Sequence, residues 1–215
     1  MTPEAINHLK KRCKVMRRLI REHGPCELVP KGARSPFESL VRAVAHQQLN
    51  GTAAESILRR FRALFPKLRR FPKADELAAI SDEAMRACGF SGAKIAALRD
   101  IAEKTLSGLV PASRSIQKMS DDEIVERLTQ VRGVGRWTVE MMLIFKLGRP
   151  DVLPADDFGV RNGFRIAFGL DEMPRPRDLL EHGERWRPYA TTAAWYLWRA
   201  ADAARQQKPR AGVNA

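Results

Sequence analysis

Apolar residues recur along this chain with the spacing of a helix rather than a strand. In "SPFESLVRAVAHQQLNG", Phe37, Leu40, Val41 and Val44 fall at i, i+3, i+4 and i+7. Ser35 offers an N-cap and Pro36 suits the first helical position. Asn50-Gly51 marks a turn, and "TAAESILRRFRALF" opens the next helix with Thr52 as its expected cap. The same reading predicts helices over 74–80, 82–88, 93–107, 121–130, 137–147, 158–168 and 177–182, and a long last one over 189–206. The amphipathic start, "MTPEAINHLKKRCKVMRRLI", predicts a first helix of the domain. Val, Ile and Thr rarely alternate with polar residues, so no strand is expected and the fold class is all-α. Residues 1–206 are read as one domain with two helical subdomains and a cleft. One spans roughly 37–150, the other draws on both termini, and a polar tail of 207–215 is expected to be mobile.

Composition adds constraints rather than elements. The apolar share is 44%, and 215 residues suffice for a sizeable core. No run approaches the roughly 18 apolar residues of a membrane span, and no apolar stretch with a small-residue cleavage site follows the N-terminus. Cys13, Cys26 and Cys88 are odd in number and far apart, which argues against a disulfide framework or a four-cysteine cluster and fits a reducing compartment. Charge changes the picture more. With 38 Lys and Arg against 25 Asp and Glu, the net charge is +13. Such a field favours nucleic acid, an anionic membrane surface or acidic partners; a basic face kept for solubility is the plainer alternative.

Two stretches stand out against that background. "LTQVRGVGRWTVEMMLIF" joins two predicted helices through Gly133-Val134-Gly135. Glycines there permit positive φ and close approach, and the amides near Gly135 lie at a helix N-terminus that favours an anion. Val131 and Val134 look like apolar pegs, with Arg132 and Arg136 adding charge on either side. Contacts of this kind grip phosphate without reading sequence. A tight αα-hairpin whose glycines merely allow the turn has the same sequence. The second stretch, "VLPADDFGV", sets Asp156 and Asp157 in a strongly basic chain, at the start of a predicted helix where either acid is able to serve as an N-cap.

Taken together, "SPFESLVRAVAHQQLNGTAA", "GFSGAKIAALRDIA", "GVGRWTVEMMLIF" and "LPADDF" resemble the helix-hairpin-helix DNA glycosylases, and within them the 3-methyladenine DNA glycosylase II group. The likeness runs from about Ser35 to Trp198 and is to the short, all-helical branch, since only about 35 residues precede "SPFESL". It implies two helical subdomains with a DNA-binding cleft, a hairpin with a Gly/Pro-rich loop, and a catalytic acid at Asp157, with Asp156 structural. It implies excision of alkylated purines by base flipping and hydrolysis of the N-glycosidic bond, the first step of base excision repair. A fixed carboxylate near C1′ stabilises the positive charge that grows on the sugar and is placed to orient the attacking water.

Relatives that also cut the strand carry a lysine where this chain has Trp137, and Lys146 lies too far along the helix to replace it, so monofunctional hydrolysis is expected. By the same likeness Trp137, Phe158, Trp198 and Met141 line the base pocket, where aromatic faces suit a cationic purine. Gln48 is the expected wedge filling the gap left by the flipped base. Gln47, Arg132, Gly133, Val134, Gly135, Arg136 and Thr138 are expected DNA contacts. Main-chain oxygens of Thr129, Val131 and Val134 would hold a monovalent cation, Na+ or K+, and no iron–sulfur cluster is expected. Trp186, Trp195 and His46 are assigned to packing or surface. The expected partner is damaged double-stranded DNA, with no membrane and a monomeric protein, acting in the nucleoid or the nucleus. Two alternatives stay open: a non-catalytic DNA-binding module, and a glycosylase for deaminated or oxidised bases.

Overall fold

The structure is a computed structural model and describes residues 2–30, 32 and 34–207. The tail expected from residue 207 lies outside these residues, apart from the backbone of Gln207. Among the described residues every element is helical, and none is long and apolar enough to cross a membrane. The chain divides into two compact units, one of Met1–Pro30 with Leu143–Ala215 and the other of Lys31–Met142.

The terminal unit begins with α1 (Pro3–Arg12) and α2 (Lys14–His23). The sequence predicts a single helix here, but Cys13 is extended (φ −147°, ψ 117°) and breaks it. Leu9, Cys13, Met16 and Ile20 keep helical phase across the break, so periodicity carries no sign of it.

The middle unit holds α3 (Pro36–His46), α4 (Gly51–Ala63), α5 (Ala74–Ala78), α6 (Asp82–Cys88), α7 (Gly92–Leu106), α8 (Ser113–Ile116), α9 (Asp121–Leu128) and α10 (Arg136–Met142). Caps set most of these starts. Ser35, Ser81, Ser91 and Ser120 each accept from the amide three residues on. At α4 the cap is Asn50, whose side chain accepts from the Ala53 amide at 2.8 Å, so the helix starts one residue before the expected cap Thr52. Around α7 the unit closes: Ile95, Leu98, Ile101 and Ala102 are buried, and Arg99 donates to the carbonyls of Leu77, Ala78 and Ile80. Lys94 reaches the Ala45 carbonyl in the last turn of α3 at 2.9 Å, and burial lowers its pKa. Phe61 sits among Phe65, Phe71 and Phe90 with ring centroids 5.5–6.0 Å away.

The terminal unit resumes with a π-helical turn, Leu143–Leu147, then α11 (Phe158–Phe168), α12 (Pro176–Gly183), a 3-10 turn (Glu184–Trp186) and α13 (Ala190–Gln207). Its main contact is α11 on α13, where Gly163 lies directly on the Leu197 backbone carbonyl and leaves no space for a Cβ. Tyr196 is buried and donates to the Gly24 carbonyl at 2.9 Å. The Thr191 hydroxyl accepts from the Val152 amide at 2.9 Å and donates to the Arg149 carbonyl at 2.8 Å. These bonds anchor the segment leading into "VLPADDFGV".

Candidate functional site

In the terminal unit the chain turns at Pro154, whose carbonyl accepts from the Asp157 amide at 3.0 Å. Asp157 is the N-cap of α11, and its Oδ1 accepts from the Val160 amide at 2.8 Å. The same oxygen accepts from the indole N–H of Trp198 at 2.8 Å. Asp157 is therefore held both by its own helix and by α13. Asp156 is exposed, and of the two acids it is the half-buried Asp157 that supplies the cap. Trp198 stacks on Phe145 (5.6 Å between centroids, 29° between planes). Phe158, 70% exposed, is the first residue of α11.

Two residues of this arrangement escaped the sequence reading. Phe145 sits in the π turn, whose wider coil changes which face a position presents. In the sequence it is one more apolar residue of a regular pattern. Gly159 is the other. A Cβ there would come within 2.9 Å of Trp198 Cδ1 and 3.1 Å of Asp157 Oδ1, so its bareness makes room for the hydrogen bond. Only the adjacency of Gly159 to the aspartates hinted at this.

In the middle unit, α9 and α10 flank the hairpin. Val131 and Val134 are buried as pegs, while Arg132, Gly133, Gly135 and Arg136 are exposed. Gly133 takes φ +76° and packs close to Ala97; Gly135 keeps an ordinary backbone, and a Cβ on it would meet nothing within 4 Å. Positive φ, expected for both glycines, is thus needed at one. The hairpin rests on α7: the Asp100 carboxylate accepts from the Arg132 amide at 2.6 Å, and Lys104 bonds Asp100 at 3.0 Å and also the Gln130 carbonyl. Burial pushes the Asp100 pKa up, but the Arg132 amide and Lys104 outweigh it and hold the carboxyl below its ordinary value.

Several expected DNA contacts are already engaged within this unit. Thr138 is 7% exposed. The Val134 side chain is buried and its amide donates to the Val131 carbonyl at 3.0 Å. Arg136 pairs with the buried Glu140 at 2.9 Å, which tempers its charge while its side chain stays 61% exposed. Gln47 donates to the Gly133 carbonyl at 2.8 Å and so ties the α3–α4 turn to the hairpin. Gln48 beside it is exposed and has φ +56°, the one non-glycine residue with positive φ among those described. A strained backbone at an exposed tip is a feature that often marks function. Gln47, Gln48, Trp137, Thr138 and Met141 line a cavity of about 440 Å³.

Residues 41–188 match the HhH-GPD superfamily of base excision DNA repair proteins. The chain belongs to this family. Among the relatives of this HhH-GPD protein, DNA-3-methyladenine glycosylase 1 of Schizosaccharomyces pombe is 47% identical over 176 residues, 82% of this chain and 77% of the relative. A solved structure of the S. pombe 3-methyladenine DNA glycosylase in complex with abasic DNA superposes with a TM-score of 0.81 at 43% identity, covering 91% of this chain and 95% of that one. A DNA-3-methyladenine glycosidase from Bacillus halodurans gives 0.85 at 33% identity, over 96% and 92%.

Of the three hairpin carbonyls expected to meet a cation, that of Val131 accepts one backbone hydrogen bond, from the Val134 amide, and keeps one lone pair. The Lys104 ammonium on the neighbouring Gln130 carbonyl is a fixed positive charge that would weaken such binding. Among the described residues no group of three or more His, Cys, Asp or Glu is arranged to hold a metal ion.

Proposed function

We propose that this HhH-GPD protein is a monofunctional DNA glycosylase that excises alkylated purines, of the 3-methyladenine and 7-methylguanine type, from damaged duplex DNA. The observation carrying the proposal is Asp157, capping α11 with one oxygen fixed by the Val160 amide and the Trp198 indole. A carboxylate held in this way is preorganised to face developing positive charge, which lowers the barrier without reorganisation at the moment of reaction. The C1′–N bond breaks, its electron pair leaves with the base, and water, oriented by Asp157, adds to C1′ and gives up a proton to Asp157 or to bulk water. An alkylated purine bearing positive charge is already a good leaving group, so little acid assistance is required. In the terminal unit Phe158 and Trp198, beside Asp157, are assigned to the surroundings of the flipped base. In the middle unit Trp137 and Met141 are assigned to the cavity they line with Gln48, the wedge, and the exposed Arg132, Gly133, Gly135 and Arg136 to phosphate. A monovalent cation on the carbonyls of Thr129, Val131 and Val134 would steady the hairpin. The names of the relatives support this choice of substrate, and the work is done wherever the cell keeps its DNA.

The test is release of free methylated bases from alkylated duplex DNA under single turnover. Asp157→Asn is expected to slow release by about 100-fold or more, the scale for removing a preorganised electrostatic group, while binding of abasic-site DNA persists. DNA binding without base release by the unaltered protein would instead support a non-catalytic module. Borohydride trapping of a covalent adduct on damaged DNA would overturn the monofunctional assignment, because water leaves no Schiff base to reduce.

A further inference from the structure

The elbow between α1 and α2 concentrates charge that the proposed chemistry leaves unused. Seven lysines and arginines lie between Lys10 and Arg21, against only Glu4 and Glu22 across both helices, so the elbow supplies five of the chain's thirteen net positive charges. Lys10, Lys14, Arg17, Arg18 and Arg21 surround, with Ile20, one open concavity of about 560 Å³. Packing like charges together is unfavourable unless a partner neutralises them.

The cations are oriented rather than cancelled. Arg17 donates to the Lys10 carbonyl across the break at 3.0 Å, and Arg18 donates to the Ala167 carbonyl at 2.5 Å. Both acceptors are neutral. The acid nearest to them, Glu22, lies 3.8 Å from Arg18 with both side chains about half exposed, so water screens the pair. Guanidinium forks held in place match phosphate oxygens better than flexible ammonium groups do. The concavity also lacks an exposed aromatic or aliphatic anchor, Ile20 being 7% exposed, which a protein partner's interface would need.

The position of the elbow on its own unit sets the distance. Arg18 bonds Ala167 in the last turn of α11, whereas Asp157 caps the first. An 11-residue helix is about 16 Å long at 1.5 Å per residue. At about 3.4 Å per base step, that corresponds to roughly five steps along a duplex. We infer that the α1–α2 elbow is a second DNA-binding surface, taking the phosphodiester backbone away from the lesion without regard to sequence or damage. This inference rests on the proposed action on DNA. The surface lengthens the time the protein stays on undamaged duplex and takes no part in the bond-breaking step.

The experiment uses the full chain with Lys10→Gln, Lys14→Gln and Arg21→Gln combined, which spares the arginines bonded to carbonyls. A second triple variant, Arg62→Gln, Lys67→Gln and Arg69→Gln, controls for the loss of net charge. Affinity for undamaged duplex is measured across a salt series. The elbow variant is expected to bind about tenfold or more weakly at low salt and to flatten the log–log salt slope by one to three, each lost phosphate contact being worth about 0.9. Its single-turnover base release at saturating protein should match the unaltered chain. A slope like that of the unaltered chain, or an equal loss in the control variant, overturns the inference. Loss of binding to polyglutamate with DNA binding intact would overturn it too, by assigning the patch to an acidic protein. If the unaltered chain binds duplex and releases no base, the catalytic proposal fails while the elbow surface stands.

Discussion

Asp157 accepts from donors of different origin, the Val160 amide and the Trp198 indole, and they are separable by mutation. The Val160 amide belongs to the local cap and follows from any N-cap acid. The Trp198 indole arrives from α13 and is steadied by its stack on Phe145. Trp198→Phe keeps an aromatic ring at the position and removes the N–H together with part of the indole's bulk. A hydrogen bond to a charged group contributes about 1.5–3 kcal/mol, so single-turnover base release should fall roughly 10–100-fold. The loss should be equal for cationic and neutral lesion bases, because the indole acts through the carboxylate. If only cationic lesions suffer, Trp198 works as a stacking wall instead. An unchanged rate would show that the indole N–H is not needed to hold the carboxylate. The sequence made Asp157 and Trp198 visible as types at positions, but the bond between them joins residues 41 apart. Such a contact is set by helix packing, which no local pattern records.

Among the elements, α11 and α13 carry the terminal unit, and their closest approach depends on one residue. Gly163 faces the Leu197 carbonyl backbone to backbone, so even a methyl group would force the helices apart. Gly163→Ala is expected to destabilise by about 3 kcal/mol or more, at the severe end for overpacking because the obstructing atom is main chain. Urea denaturation followed by circular dichroism checks this; an unshifted midpoint would mean that the helices do not meet there. Both helices were legible in the sequence, α11 to its end residues, because apolar phase and caps are local properties. Three features were not. The break at Cys13 preserves phase, the π turn at Leu143–Leu147 has no compositional mark, and the short α8 is too brief for periodicity to register. At α4 the sequence pointed to Thr52 as the cap, but the Asn50 side chain is the one that reaches the Ala53 amide.

For the molecule as a whole, folding stability couples to pH through a half-buried histidine packed against α11. His182 lies among Phe164, Phe168 and Trp186, with centroids 4.9, 4.6 and 5.3 Å away, and its Nε2 is buried without a hydrogen-bond partner. Burial, aided by the charge of Arg185, pushes its pKa down from 6.5 to about 4. The unfolded chain therefore takes up a proton near pH 6.5 while the folded chain resists until about pH 4. The sign follows from linkage: the state that binds more protons gains as pH falls, so the folded state weakens throughout that window and is indifferent to His182 above it. Between pH 6.5 and 5 the loss should be on the order of 1–2 kcal/mol, given about 1.4 kcal/mol per pH unit for one proton. The paired carboxylates Asp100 and Asp178 have lowered pKa values and stabilise the fold above their ordinary range, so their contribution disappears only at more acid pH. Thermal denaturation of the full chain at pH 7.5, 6.5, 5.5 and 5.0 should show the decline, and His182→Phe, which suits an aromatic cluster, should flatten it. A decline of the same size in that variant would move the proton to another group.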